Sequence, residues 1–365
     1  MKVNLVNLEK THKKIKKNLN KNLNQLFLKQ KFILGDEVEE LEKNLSKITK
    51  SKYSLGVGSG SDALIVALLS CDLKKNDEVI IPDLTWISTI GSVIFAGGKP
   101  VVADVNSEDG TINLKSLSKK INKNTKVIIT VGLYGHLPAL DLIKKICTKN
   151  NIILINDGAQ SFGSKYKNKY CHQYTSISCT SFFPAKVLGS YGDAGACFTN
   201  DKKLYDKMKM IRTHGQNKKS HSIILGLNAR IDTIQACVLN EKLKYINKEI
   251  KLRKRKLKTY VKMLSKLNNI KILKPLKKCE PNGSSIVIRI KEKKNFQNYL
   301  AKKGIQTQNI YNYTLTEQPS FKKYKDNNVV NSKSIAKENV CLPINPYLTL
   351  SQIKYVIATI GKYLN

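Results

Sequence analysis

Four short runs of apolar residues constrain the fold of this chain more than any other feature. They lie at 77–82 (Val79-Ile80-Ile81), 100–104 (Val101-Val102-Ala103), 126–131 (Val127-Ile128-Ile129) and 152–157 (Ile152-Ile153-Leu154-Ile155). Each is continuous, without the polar alternation of a half-exposed strand, so each needs cover on both faces. Helical periodicity at 62–70, 86–96 and 140–150 supplies that cover. Strands and helices in alternation imply an α/β architecture with a mostly parallel sheet. In such sheets ligands bind beyond the carboxyl ends of the strands. Residues 58–62, Trp86, Tyr134, Asp157 and Lys186 stand at or just past such ends.

The remaining chain, within 365 residues, suits one large domain and a smaller one. Residues 1–31 form a basic amphipathic helix with Leu19, Leu23, Leu26 and Phe27 at helical spacing, and 36–50 a second helix. A strand at 194–199 and helices at 202–210 and 231–243 complete a large domain, 1–245, with an N-terminal helical arm. A charged helix at 247–267 leads into a small α+β domain, 246–365, with strands at 270–273 and 285–290 and helices at 295–303 and 349–364. No apolar run is long enough to span a membrane, and the N-terminus lacks the apolar core of a signal peptide. Eight cysteines without C-x-x-C spacing read as reduced core residues of a cytoplasmic protein, with no metal site.

The net charge of +37 comes almost wholly from lysine spread along the chain, with no arginine-rich tail, and so does not indicate nucleic acid. It can help draw in an anionic small substrate. Of 64 basic residues only five are arginine: 212, 230, 253, 255 and 289. Where lysine serves for charge, an arginine marks a need for a planar fork. Arg253 and Arg255 fall in a lysine-rich helix and are expected to be solvated; Arg230 is the candidate for a site.

Lys186 sits in a turn after the apolar run 177–183, five residues past the Ser181 hydroxyl. Burial there disfavours the charged amine, and a neutral amine attacks carbonyls. Asp157, ending a buried strand, can keep a pyridine nitrogen protonated, which makes pyridoxal phosphate an electron sink. Gly60, Ser61 and Asp62 open a helix, where free N–H groups and the helix dipole seat a phosphate; Ser181 joins them. Trp86 can stack on a flat ring. Together these are the parts of a pyridoxal-phosphate site. The rival is a dinucleotide site: Gly58-Ser59-Gly60-Ser61-Asp62-Ala63 also matches G-x-G-x-x-A, and Asp83 is the acidic residue that a nicotinamide oxidoreductase would direct at a ribose.

The segments Gly58-Ser59-Gly60-Ser61-Asp62-Ala63-Leu64, Asp157-Gly158-Ala159-Gln160-Ser161-Phe162-Gly163, Ser181-Phe182-Phe183-Pro184-Ala185-Lys186 and Gly226-Leu227-Asn228-Ala229-Arg230 resemble, in order, the motifs of the DegT/DnrJ/EryC1/StrS family. The resemblance implies a fold type I pyridoxal-phosphate sugar aminotransferase, related to aspartate aminotransferase. It is strongest to the branch that aminates UDP-2-acetamido-2-deoxy-3-oxo-glucuronate with L-glutamate for surface polysaccharides such as O-antigen. A family member acting on a 4-keto-6-deoxy nucleotide sugar is the alternative. The resemblance further implies that Lys186 binds the cofactor and shuttles the proton, and that Gln160 meets the ring hydroxyl. Asn228 would reach the phosphate of a neighbouring subunit, making a homodimer with shared sites, and Arg230 would meet a substrate carboxylate. Tyr311 and Tyr313 lie in the sugar-recognising segment. The chain departs from the family pattern at Asn156, where an acidic residue is common, and at Gly132, where histidine or serine is. Tyr311-Asn312-Tyr313-Thr314-Leu315-Thr316 only faintly echoes the family's aromatic-Pro-x-Pro-Leu-His run.

Overall fold

A computed structural model describes residues 1–364. The apolar runs become strands of a seven-stranded sheet: β1 Tyr53–Val57, β2 Glu78–Pro82, β3 Lys99–Ala103, β4 Thr125–Val131, β5 Ile153–Asp157, β6 Ile177–Ser181 and β7 Gly195–Thr199. Their spatial order is β1-β7-β6-β5-β4-β2-β3. β7 runs antiparallel to both its neighbours, and the other pairings are parallel. Burial on both faces explains the unbroken apolar runs: Ile81, Val127, Ile129 and Ile155 meet one core, Ile80, Ile128 and Leu154 the other. Helix Gly60–Leu69 packs Leu64, Val66 and Leu68 into the first of these.

The N-terminal helix is shorter than expected, Leu8–Lys29, and buries Ile15, Leu19 and Leu26 against Cys237 and Val238, while Phe27 points to solvent. Ahead of it, Val3 bridges to Ile305. A three-stranded antiparallel sheet, Lys271–Ile272, Ile286–Arg289 and Asn339–Leu342, has its own apolar cluster with helices Lys293–Lys302 and Leu350–Leu364.

One expectation is overturned here. Arg253 is buried, not solvated: helix Ile246–Leu264 turns Ile246, Glu249, Arg253, Leu257 and Tyr260 inward at helical spacing. Its guanidinium donates to the Ile344 carbonyl at 3.1 Å, and burial lowers its pKa to about 10. Arg255, on the opposite face, is exposed.

Candidate active site

Asp157 closes β5 and is buried. One carboxyl oxygen accepts the Ala159 N–H at 3.1 Å and the other the Thr89 hydroxyl at 3.1 Å; Thr89 in turn meets the Thr85 hydroxyl at 3.0 Å. The carboxyl is thereby aimed. Burial pushes its pKa up, opposed by the Ala159 amide and by the charge of Lys186. Lys186 shows the converse: burial lowers its hold on the proton and Asp157 raises it. A fixed, desolvated carboxylate of this kind suits a cationic ring nitrogen, and a partly desolvated amine beside it suits attack on an aldehyde.

The loop that carries Lys186 is tightly wound. Lys186 N–H bonds the Phe183 carbonyl at 2.9 Å, and the chain returns where the Ser190 amide and hydroxyl both donate to the Phe182 carbonyl at 2.7 Å.

Past β1, Ser59 caps helix Gly60–Leu69. Its hydroxyl accepts the Asp62 N–H at 3.0 Å and its carbonyl the Ala63 N–H at 3.0 Å. The first-turn amides of Gly60 and Ser61 are left without intrahelical partners, at the positive end of the helix. Gly60 lies directly on Ser181: a Cβ there would sit 2.7 Å from the Ser181 Cβ. The Ser61 hydroxyl meets that of Ser88 at 2.7 Å. This cradle of amides and hydroxyls fits a phosphate. Asp62 brings no free amide to it. Its carboxyl turns towards Gly58, and burial, with Asp193 nearby, pushes its pKa up.

Over this floor stand three side chains. The Trp86 indole is 51% exposed and lies 5.3 Å from the Tyr311 ring. Gln160 accepts the Tyr134 N–H at 2.8 Å and donates to the Tyr311 hydroxyl at 3.0 Å, which leaves one amide proton for a ligand. Burial, with Asp157 close by, raises the Tyr311 pKa well above the usual phenol range. Tyr313 points to solvent, 62% exposed, apart from this group. Asn228 and Arg230 lie at the sheet edge beside Gly58, the Asn228 side-chain Oδ1 accepting from Arg230 Nε at 2.9 Å.

The departure at Gly132 is compensated and that at Asn156 only in part, since the Asn156 amide nitrogen is buried without a partner. A side chain at Gly132 would collide with Ser161, whose Oγ lies 2.0 Å from the Cβ position, so Ser161 fills the space of the missing side chain. Asn156, buried where a charge is common in the family, accepts from Thr130 at 3.1 Å.

Asp83 is fully buried. Its carboxyl accepts the Thr316 amide at 2.9 Å and the Thr316 hydroxyl at 3.3 Å, and its carbonyl accepts the Leu315 N–H at 2.8 Å. Burial raises its pKa to about 6. It is committed to residues 314–316 and unavailable to a ribose, which removes the acidic residue that the dinucleotide reading required.

Thr89, Thr85, Tyr134 and Asp83 complete the site and were not singled out for these roles in the sequence. A signal existed for the threonines: Thr85 and Thr89, four residues apart around Trp86, face the same way at a helix start. None existed for Asp83, whose partner is 233 residues away.

Comparison with known proteins agrees with this geometry. Residues 13–361 match the model of the DegT/DnrJ/EryC1/StrS aminotransferase family. The chain is 34% identical over 362 residues to a UDP-2-acetamido-2-deoxy-3-oxo-D-glucuronate aminotransferase of Pseudomonas aeruginosa, covering 98% of this chain and 99% of that one. It is 32% identical over 370 residues to a pleiotropic regulatory protein of Geobacillus stearothermophilus, covering 100% and 99%. The crystal structure of NtdA from Bacillus subtilis with bound cofactor PMP superposes with a TM-score of 0.92 at 25% identity, over 100% of this chain and 85% of that one. With a fold type I sheet, a cradle for phosphate and the Lys186–Asp157 pair, the chain belongs to the DegT/DnrJ/EryC1/StrS family and is a pyridoxal-phosphate-dependent sugar aminotransferase.

Proposed function

We propose that the protein transfers the amino group of L-glutamate to the 3-keto carbon of UDP-2-acetamido-2-deoxy-3-oxo-glucuronate. It would do so in the cytoplasm, as a homodimer with shared sites, on the way to a surface polysaccharide such as O-antigen. The observation that carries the reaction is the aimed, buried Asp157 beside the partly desolvated Lys186. The substrate follows the relative of that activity, which the chain matches end to end. Residues 1–245 would form the cofactor-binding domain and 246–365 the smaller one.

When bound, pyridoxal phosphate supplies an aldehyde to take the amino group and a protonated ring to accept electrons. The residues divide the remaining work. Gly60, Ser61 and Ser181 hold the phosphate, with Asp62 setting the helix start and Asn228 reaching in from the partner subunit. Asp157, aimed by Thr89, holds the proton on the ring nitrogen. Gln160 meets the ring hydroxyl and Trp86 covers a ring face. Lys186 Nζ secures the cofactor and, freed from it, moves the proton at the carbon being aminated. Arg230, which makes no ion pair among the described residues, takes a substrate carboxylate as a bidentate fork. Tyr311 faces the sugar, whereas Tyr313, turned to solvent, takes no part.

The test is competition. Purified protein, charged with glutamate, is offered the 3-keto uronate and a 4-keto-6-deoxy nucleotide sugar together. Preferential amination of the uronate is expected; preference for the 4-keto sugar assigns the other substrate class.

A further inference from the structure

A second lysine is buried next to the loop that carries Lys186. Lys242, near the end of helix Thr233–Leu243, is 8% exposed. Its ammonium donates to the Gly189 carbonyl and lies 4.4 Å from the centroid of the Tyr191 ring. Among the described residues no carboxylate forms an ion pair with it. The nearby Glu249 is engaged instead by the Tyr347 hydroxyl at 2.8 Å and by Lys14 at 3.9 Å.

A buried ammonium without a paired carboxylate is costly, and an apolar side chain would serve packing better. The bond it makes shows where the cost is used. Two turns earlier on the same helix, Gln235 accepts the Tyr191 N–H at 2.9 Å through its side-chain oxygen. Residues seven apart share a helix face and are separated by roughly 10 Å. Gln235 and Lys242 therefore grip the returning limb of the loop at two places, Tyr191 N–H and Gly189 C=O. The same helix packs on the N-terminal helix, whose His12 bonds the Tyr191 hydroxyl at 2.9 Å. Below the grip is a cavity of ≈ 30 Å³, lined by residues 184–189, Lys242, Glu249 and Arg253. That is room for about one water; beside it Leu188 packs on Leu243 and Ile246, so the polar ties of the limb to this helix are those of Gln235 and Lys242.

We propose that Lys242, with Gln235, is a positioning residue for the reactive lysine: the two side chains fix the path of residues 184–191 and so deliver the Lys186 side chain towards Asp157. Neither touches the reacting atoms. The inference rests on Lys186 being the reactive amine.

The experiment uses the full chain with K242M, K242Q and Q235L. Two readouts are taken: hydrogen–deuterium exchange across 184–191 in the cofactor-free protein, and the pH midpoint of the absorbance change in the protein loaded with pyridoxal phosphate. K242M is expected to raise exchange in this segment about tenfold, the effect of losing one charge-assisted hydrogen bond. It should also displace the midpoint and lower kcat with little change in KM. K242Q, which keeps a donor on a side chain one bond shorter, should restore part of the protection and move the midpoint back towards the parental value. Parental exchange and midpoint in K242M would overturn the proposal. Should K242M not fold, Q235L decides in the same way, because it cuts only the other tie. The two possible failures are separable: if Lys186 were not the reactive amine, K186A would keep the band of bound cofactor; if only the positioning were wrong, K186A would lose it while K242M stayed parental.

Discussion

The carboxyl end of the seven-stranded sheet and the segment 311–317 face the same space but are held in different ways. At the sheet end, strand register turns distance along the chain into adjacency. Val131 pairs with Asp157, and Asp157 with Cys179, two residues before Ser181, so whatever follows each strand must meet the others. The segment 311–317 has no such lattice. It is fixed by Leu315 in the core and by a few hydrogen bonds: Asp83 on Leu315 and Thr316, Gln160 and Asn339 on Tyr311, and, locally, Glu317 folded back to accept the Thr314 N–H at 2.8 Å. The cofactor end is therefore set by architecture, and the mouth by a few replaceable bonds. On the proposed function, chemistry would belong to the first and substrate choice to the second.

The sharpest way to break this division is at the cofactor end. K186A should lower turnover by at least about a thousandfold, the scale of losing a positioned proton carrier together with a covalent anchor. The far-ultraviolet circular dichroism and melting midpoint should stay close to parental. Next, D157A should cost roughly a hundredfold or more in the rate with the amino donor, since on the proposed assignment the ring nitrogen would lose its buried carboxylate partner; a loss below threefold would refute that assignment. N228A should weaken retention of the cofactor by about tenfold, measured by dialysis. In mixed dimers of N228A with K186A, recovery of one functional site is expected if Asn228 serves the partner subunit, and no recovery if it serves its own.

The mouth should respond differently. D83A leaves the Thr316 amide buried without an acceptor, at a cost of about 1–3 kcal/mol. It should raise KM for the keto sugar severalfold while leaving the half-reaction with the amino donor intact, separable by single-turnover spectroscopy. Equal losses in both half-reactions would mean that the mouth and the cofactor end are not distinct.

The smallest effect is one of pH. The folded pKa of Asp83, about 6, lies above its ordinary value of 3.8, so the fold favours the protonated form. Its contribution to stability is fully present below pH 4 and is lost as pH rises to about 6, by up to roughly 3 kcal/mol. D83N lacks this titration. Its stability relative to the parent should improve from pH 4 to 6 and stay level above, measured by urea unfolding. A difference independent of pH would show that Asp83 is not desolvated as described.

The legibility of the sequence follows the same division. The parallel sheet could be read because its strands are buried on both faces. The placement of Asp157 at the end of one such strand and of Lys186 in the loop five residues past another could be read from the apolar runs, and the helix opening at Gly60 from the small residues before it. Arg253 was misjudged because its lysine-rich surroundings masked the inward stripe Ile246, Glu249, Arg253, Leu257. Asp83 was assigned to the wrong kind of partner, since nothing near it in the chain points to Thr316. At Gly132 the space of a side chain is taken by Ser161, which nothing near it in the chain indicates, and at Asn156 Thr130 meets only the amide oxygen. What escaped depends on pairs far apart in the chain and outside the sheet lattice.

The most direct test of the central claim, that Lys186 carries the cofactor opposite Asp157, is an absorbance spectrum of the purified protein before and after glutamate, with K186A alongside. The account predicts a band at roughly 400–430 nm that moves to about 330 nm with glutamate in the parent, and no such band in K186A. A band that survives in K186A, or none in the parent even with added pyridoxal phosphate, would contradict it.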